Sequence, residues 1–314
     1  MTIKVESTQG PGYDTSAPRR RSSKVDTIRR AYGFDDVSLA PGTTTVEPAD
    51  VDTSVDFAGL SLDIPVLAAS MDAVVDVRSA GVLAGLGGLA VMNLEGVQTR
   101  YEDPAPVLER IAPAPADETQ AVLSAAYAAP IAEDIVAARI GQLHDAGSPA
   151  VISATPAAAR RWGPFCAEAG ADVFLVQSQV SSAQHLASGY EPLELGEFTR
   201  LMGIPVVAGN TTSYEAAAAL MQQGIAAIFV GVGPGAACTT REVLGIGVPQ
   251  VTAIADVAAA RDEHFERTGV YVPVVGDGGM RRGGEMAKAI AAGADLLMLG
   301  APLARATEAP GHGT

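Results

Sequence analysis

One short stretch gathers the residue types that could do covalent chemistry. Residues 226–247, AAIFVGVGPGAACTTREVLGIG, begin with an apolar run, break into glycines at Gly231, Gly233 and Gly235, and then present Cys238, Thr239 and Thr240. Glycines without Cβ let backbone N–H groups come close to an anion, and a helix after them turns its positive end to the same spot. A thiol in such a place is held toward its thiolate and suits nucleophilic attack. A phosphate cradle and a nucleophile in one loop point to covalent chemistry on a phosphorylated ligand. The other cysteine, Cys166, lies in a helical pattern and reads as a small, buried, inert residue.

Two further Gly-rich loops extend this picture. GDGGM (276–280) places Asp277, a carboxylate able to accept two vicinal ribose hydroxyls, beside the bare amides of Gly278 and Gly279. LGAPLA (299–304) adds Gly300 and Ala301. Each loop alone reads first as a tight strand-to-helix turn; three together, one with Asp and one with Cys, favour a nucleotide site. Met71 in ASMDAVV and Asn210 in AGNTTS follow apolar runs and can face the same place. Core packing is the alternative for Met71, and a helix N-cap for Asn210. Gly231-x-Gly233-x-x-Ala236, with Asp256 downstream, matches the dinucleotide fingerprint formally. It falls late in the chain, however, and Cys-Thr-Thr has no place in that motif. No Walker lysine is present, and the four histidines show no paired spacing.

The elements that must hold these loops form a repeat. PVLAAS (65–70), LAVMN (89–93), AVISAT (150–155), VFLVQS (173–178), IPVVAG (204–209), AIFVGV (227–232), YVPVVGD (271–277) and LLMLGA (296–301) are short apolar runs. Helical patterns such as TSYEAAAALMQQG and GEMAKAIAAG separate them. Strands apolar on both faces and alternating with helices are parallel, and eight of them predict a (β/α)8 barrel with its site at the C-terminal ends of the strands. Residues 31–314 are therefore expected to form a single barrel domain, with a Pro-rich excursion at 94–149. Residues 1–30, polar and carrying Arg19-Arg20-Arg21, predict a flexible arm, with an inter-subunit contact as the alternative. After the eighth run the sequence PLARATEAPGHGT leaves no room for an eighth helix.

Composition sets the outer bounds. Hydrophobic residues make up 48% and charged residues 18% of 314, which supports a sizeable core. A net charge of −15 argues against a sequence-independent grip on nucleic acid. Two distant cysteines fit a reducing cytoplasm, and neither an exported leader nor a membrane-spanning run is indicated.

From about Ala31 onward the chain resembles the IMP dehydrogenase/GMP reductase family. The resemblance rests on PVLAASMDAVV, VVAGNTT, GVGPGAACTTREVLGIGVPQ, VVGDGGMRRGGEMAKAI and GADLLMLGAPLARATEAPG; NLEGVQTRYEDP is similar to the short branch that lacks a CBS module. It implies NAD-dependent oxidation of IMP to XMP, with Cys238 attacking C2 of the purine and Thr240 beside it. It also implies that Asp277 holds the ribose, that Gly235, Ala236, Gly278, Gly279, Gly300 and Ala301 surround the phosphate, and that Met71 and Asn210 contact the nucleotide. Gln177, Ser178 and Gly231 are implied toward the nicotinamide cofactor, and the carbonyls of Gly233, Gly235 and Cys238 toward a potassium ion. A homotetramer is implied as well. Ala236 and Ala301 stand where the family usually has Ser, and Gln177 where it has Asp. The family's mobile flap, with its water-activating Arg, follows the APG signature and would lie beyond Thr314. GMP reductase, running GMP and NADPH to IMP and ammonia, is the alternative; REVLGIGVPQ lacks the reductase form of that segment and favours the dehydrogenase. The replacements also leave open a catalytically impaired nucleotide-binding relative.

Overall fold

The computed structural model describes residues 2–4, 28–115, 117–235 and 238–311. Strand β1 (Thr2–Lys4) pairs antiparallel with β2 (Ser38–Ala40), and β3 (Val55–Phe57) with β4 (Leu60–Leu62). The repeat begins with β5 (Val66–Ala68), α1 (Val77–Gly85) and β6 (Leu89–Asn93). The excursion that follows holds α2 (Ala105–Ile111), α3 (Thr119–Tyr127) and α4 (Glu133–Asp145). Then come β7 (Val151–Ala154), α5 (Pro156–Glu168), β8 (Val173–Gln177), α6 (Leu195–Leu201), β9 (Val206–Thr211) and α7 (Tyr214–Met221). Last are β10 (Ile228–Val230), α8 (Thr240–Leu244), α9 (Gln250–Thr268), β11 (Val274–Asp277), α10 (Gly283–Ala291), β12 (Leu296–Leu299) and α11 (Ala301–Ala304).

Strands β5 to β12 close into one parallel barrel, β12 pairing with β5 to complete the ring. All eight predicted runs become its strands. The alternation of side chains explains why both strand faces are apolar. Leu67, Leu89, Val91, Val173, Leu175, Val207, Phe229, Val275 and Met298 fill the interior of the ring. Their neighbours Ala90, Met92, Phe174, Val176, Ala208, Ile228, Val230 and Leu297 pack outward under the helices.

The N-terminal end of the barrel is plugged. The β3–β4 hairpin turns through Ala58 and Gly59, both at positive φ, and lays Phe57 and Leu62 into the interior cluster. Phe57 meets Phe229 edge to face with ring centroids 6.3 Å apart. That leaves the C-terminal end for chemistry.

Three local features depart from the sequence reading or refine it. The excursion packs its own small core of Val97, Val107 and Ala126 against the barrel, and α4 serves as the helix that returns the chain to β7. The arm expected at residues 1–30 lies for the most part outside the described residues. The helix expected directly after the cysteine loop is only α8, five residues long; the long α9 starts at Gln250. Gly245 and Gly247, at φ 69° and 159°, break the chain between them.

Candidate active site

Every barrel strand delivers a residue to the C-terminal rim, and two adjoining cavities open there. One, of about 410 Å³, is lined by Asn93, Glu95, Thr155, Gln177, Ser178 and Asn210 among others. The second, of about 790 Å³, is lined by Met71, Gly279, Gly300 and Ala301, with Phe34 and Asp36 of the lead-in segment and Arg281 at its edge. Pro234, Gly235, Cys238, Asp277 and Gly278 line both. The expected nucleophile and the expected ribose acceptor therefore stand on a common wall between two chambers.

Cys238 is exposed at this wall, and its Sγ donates to Thr240 Oγ1 at 3.1 Å. Thr240 is buried at the first position of α8, so the hydroxyl that orients the sulfur is itself held by packing. The Cys238 N–H donates to Gly235 O at 3.1 Å, which tightens the loop. Arg241 anchors the loop from behind, donating from Nε to Val232 O at 3.1 Å and from Nη2 to Val248 O at 2.6 Å. A Cβ on Gly233 would come within 2.5 Å of the Arg241 stem, so glycine is required there for packing.

Asp277 ends β11 at the centre of a polar chain. Its Oδ2 accepts from Asn210 Nδ2 at 2.7 Å and from Gln177 Nε2 at 3.2 Å. Burial pushes its carboxyl up to about 6, opposed by the Asn210 hydrogen bond. Its main-chain oxygen accepts from Gln250 Nε2 at 3.1 Å, and a Cβ on Gly231 would lie 2.2 Å from that same oxygen. Gly231, at φ 144°, is thus fixed as glycine by backbone and by space.

The sequence-predicted residues largely converge. Cys238, Thr240, Asn210, Gln177, Ser178, Gly231, Gly233, Gly235, Asp277 and Gly278 line the smaller chamber. Met71, Gly279, Gly300 and Ala301 line the larger. Ala236 lies outside the described residues. Asn210 does not cap a helix: it is buried in β9, and Ser213 caps α7 instead, accepting from Ala216 N. Asp256 of the formal dinucleotide fingerprint pairs with Arg29 on α9 and lines neither chamber. Cys166 is buried within α5, and desolvation pushes its thiol up to about 12, which keeps it inert.

Sequence reasoning missed four contributors. Ser70, the first polar residue after the β5 run, donates to Gln177 Oε1 at 3.0 Å; its position is equivalent to that of Gln177, and the same rule would have found it. Glu95 lines the smaller chamber and accepts from Thr155 N at 2.7 Å. Gln250 sits below the wall, signalled by nothing in its neighbourhood. Asp72 is the fourth: half-buried after Met71, it accepts from Val97 N and from Tyr127 Oη, and burial raises its pKa.

Among the described residues no cluster of three or more His, Cys, Asp or Glu could hold a metal ion, and no helix is long and apolar enough to cross a membrane. The carbonyls of Gly233, Gly235 and Cys238 are neutral oxygen donors of the kind a hard monovalent cation takes. Of the three, that of Gly235 is engaged by the Cys238 amide.

Comparison with known proteins places this geometry in context. The model of the IMP dehydrogenase / GMP reductase domain matches residues 31–314. An uncharacterized oxidoreductase of Mycobacterium tuberculosis is 40% identical, the match covering 91% of this chain and 78% of that protein. An inosine-5'-monophosphate dehydrogenase of Methanocaldococcus jannaschii is 30% identical, covering 92% and 75%. A crystal structure of an IMP dehydrogenase/GMP reductase-like protein from Corynebacterium glutamicum superposes with a TM-score of 0.85 at 34% identity, covering 91% of this chain and 76% of that one.

Proposed function

The chain belongs to the IMP dehydrogenase/GMP reductase family of oxidoreductases, and on that premise we propose that it oxidises IMP to XMP with NAD. The observation that carries the reading is the shared wall: one nucleophile, Cys238, borders two chambers, as a reaction between two bound molecules requires.

The larger chamber suits the nucleotide. Asp277 accepts the ribose hydroxyls there, and the bare amides around Gly278, Gly279 and Gly300 meet the phosphate. The smaller chamber, with the carbonyl, amide and hydroxyl groups of Asn93, Thr155, Gln177 and Ser178, suits a carboxamide ring and its ribose. NAD, when bound, supplies the hydride acceptor.

The chain's own residues divide the work as follows. Cys238 as thiolate forms a bond from Sγ to C2 of the purine, and the Thr240 hydroxyl, now donating, steadies the sulfur before attack. The hydrogen on C2 leaves with its electron pair toward the neighbouring chamber. Water then adds to C2, the Sγ–C2 bond breaks, XMP departs and the sulfur regains its proton. A potassium ion on the loop carbonyls, a homotetrameric assembly, a cytoplasmic location and a one-domain organisation without a CBS module complete the proposal.

The test is direct. Incubation with IMP and NAD should generate reduced cofactor by absorbance and XMP by chromatography. Consumption of NADPH with GMP, and none of NAD with IMP, would instead assign the reductase reaction. Full turnover by Cys238→Ala would overturn the covalent mechanism.

A further inference from the structure

Gln177 ends β8 with both ends of its side-chain amide committed. Oε1 accepts from Ser70 Oγ at 3.0 Å; Nε2 donates to Asn210 Oδ1 at 3.0 Å and to Asp277 Oδ2 at 3.2 Å. Asn210 is fixed in turn, because its Nδ2 donates to Gly231 O at 2.9 Å and to Asp277 Oδ2 at 2.7 Å. The Ser70 hydroxyl and the two acceptors leave one orientation of the Gln177 amide that satisfies every partner. Both amide donors reach the same oxygen of Asp277. Among the described residues nothing donates to Oδ1.

We infer that Gln177 is the positioning residue of this site: anchored by Ser70, it holds Oδ2 of Asp277 and leaves Oδ1 as the acceptor for a vicinal diol. The inference deepens the nucleotide reading above and rests on it for the identity of the diol. The side chain therefore works inward on the substrate-side carboxylate, in addition to lining the smaller chamber. In this chain a neutral amide stands at this place, and it donates where an ionised carboxylate could not. A carboxylate at 177 would lie against Oδ2 of an acid that burial already disfavours as an anion.

Other titratable or charged groups sharing the two chambers are Glu95, Asp35, Asp36, Cys238, Arg241, Arg281 and Glu285. None of them hydrogen-bonds the Asp277 carboxylate. Removing the Gln177 donor must therefore weaken the anion, and replacing it with an acid must weaken it further.

The experiment is a carbon-13 titration of the Asp277 carboxyl in ligand-free full-length protein, its signal identified by absence in Asp277→Asn. Wild type, Gln177→Met, Gln177→Glu and Ser70→Ala are compared, each checked for fold by circular dichroism. The titration midpoint should rise by about one on the pH scale in Gln177→Met and by about two in Gln177→Glu. It should rise less in Ser70→Ala, which leaves the core intact. IMP affinity at pH 7, followed by calorimetry, should weaken about tenfold in Gln177→Glu, because a carboxyl with its midpoint near pH 8 is ionised in only about a tenth of the molecules at pH 7. An unmoved titration in the folded variants would overturn the inference. Failure of wild type to bind IMP would sink the nucleotide reading and leave the titration readable.

Discussion

Asn210 and Asp277, 67 residues apart in sequence, meet at 2.7 Å across the barrel mouth, amide nitrogen to carboxylate oxygen. The contact joins β9 to β11 over the intervening β10, whose neighbouring Gly231 carbonyl accepts from the same amide at 2.9 Å. It favours the ionised form of a carboxyl that burial pushes up to about 6.

With Asp277 titrating at about 6, nucleotide affinity should be level above that pH and fall about tenfold for each step of one pH below it. Asn210→Ala removes the stabilising donor and should move the break to higher pH. Calorimetric titrations with IMP between pH 5 and 8 would show it, and a break that stays in place would refute the assignment.

The same carboxyl has a cost to the fold. Its folded value lies above that of an unfolded carboxyl, so the folded chain retains a proton that the unfolded chain has released. Stability then declines as pH rises from about 4 to about 6 and remains lower above. Asp277→Asn should therefore be more stable than wild type at pH 7, by about 1–3 kcal/mol, while binding nucleotide poorly. Denaturant unfolding at pH 7 and pH 3 checks both the sign and its disappearance in acid.

Cys238→Ala should lower turnover by on the order of 10³-fold or more while leaving IMP affinity nearly unchanged, because the sulfur acts in the bond-making step. Steady-state rates beside calorimetry separate the two effects. Iodoacetamide should label Cys238 in the native protein, with IMP protecting it, and should spare Cys166.

Tyr127→Phe should cost about 1 kcal/mol, since it strips a donor from the half-buried carboxylate of Asp72. The residue beside Asp72 is Met71, so KM for the nucleotide should rise more than kcat falls. Thermal melts and initial rates test this; a shifted melt with unchanged KM would confine Tyr127 to holding the excursion in place.

Gly231→Ala should lose both stability and activity. The new Cβ would strike the Asp277 carbonyl at 2.2 Å on a backbone that L-residues avoid, at a cost of about 2 kcal/mol or more. Phe57→Ala offers the contrast: a loss of about 3–5 kcal/mol at the far end of the barrel, with KM unaltered in the protein that remains folded.

The eight strands were legible because continuous apolar runs bounded by breakers have few other readings. The residues at the ends of those runs and in the loops after them, Asn210, Cys238 and Asp277, could be placed at one rim by the same logic, whereas Gln177 was reached only through the family resemblance. What escaped depends on three-dimensional encounter. Tyr127 reaches Asp72 from a helix of the excursion, and Gln250 reaches under Asp277 from the first turn of α9. Neither local pattern differs from an ordinary helix surface. The short α8 was also illegible, since Gly245 and Gly247 act as breakers inside a segment whose residues otherwise suit a helix.

The stopper formed by Phe57 and the hairpin beneath Phe229 has a bearing on traffic. With that end shut, arrivals and departures share the rim, and the partition bearing Cys238 and Asp277 stands in the middle of it. A nucleotide tethered through its sulfur link would keep one compartment occupied while the spent dinucleotide vacates the other. On the proposed covalent route, the space so cleared would be the approach for water to C2, and departure of the first product would precede release of the second.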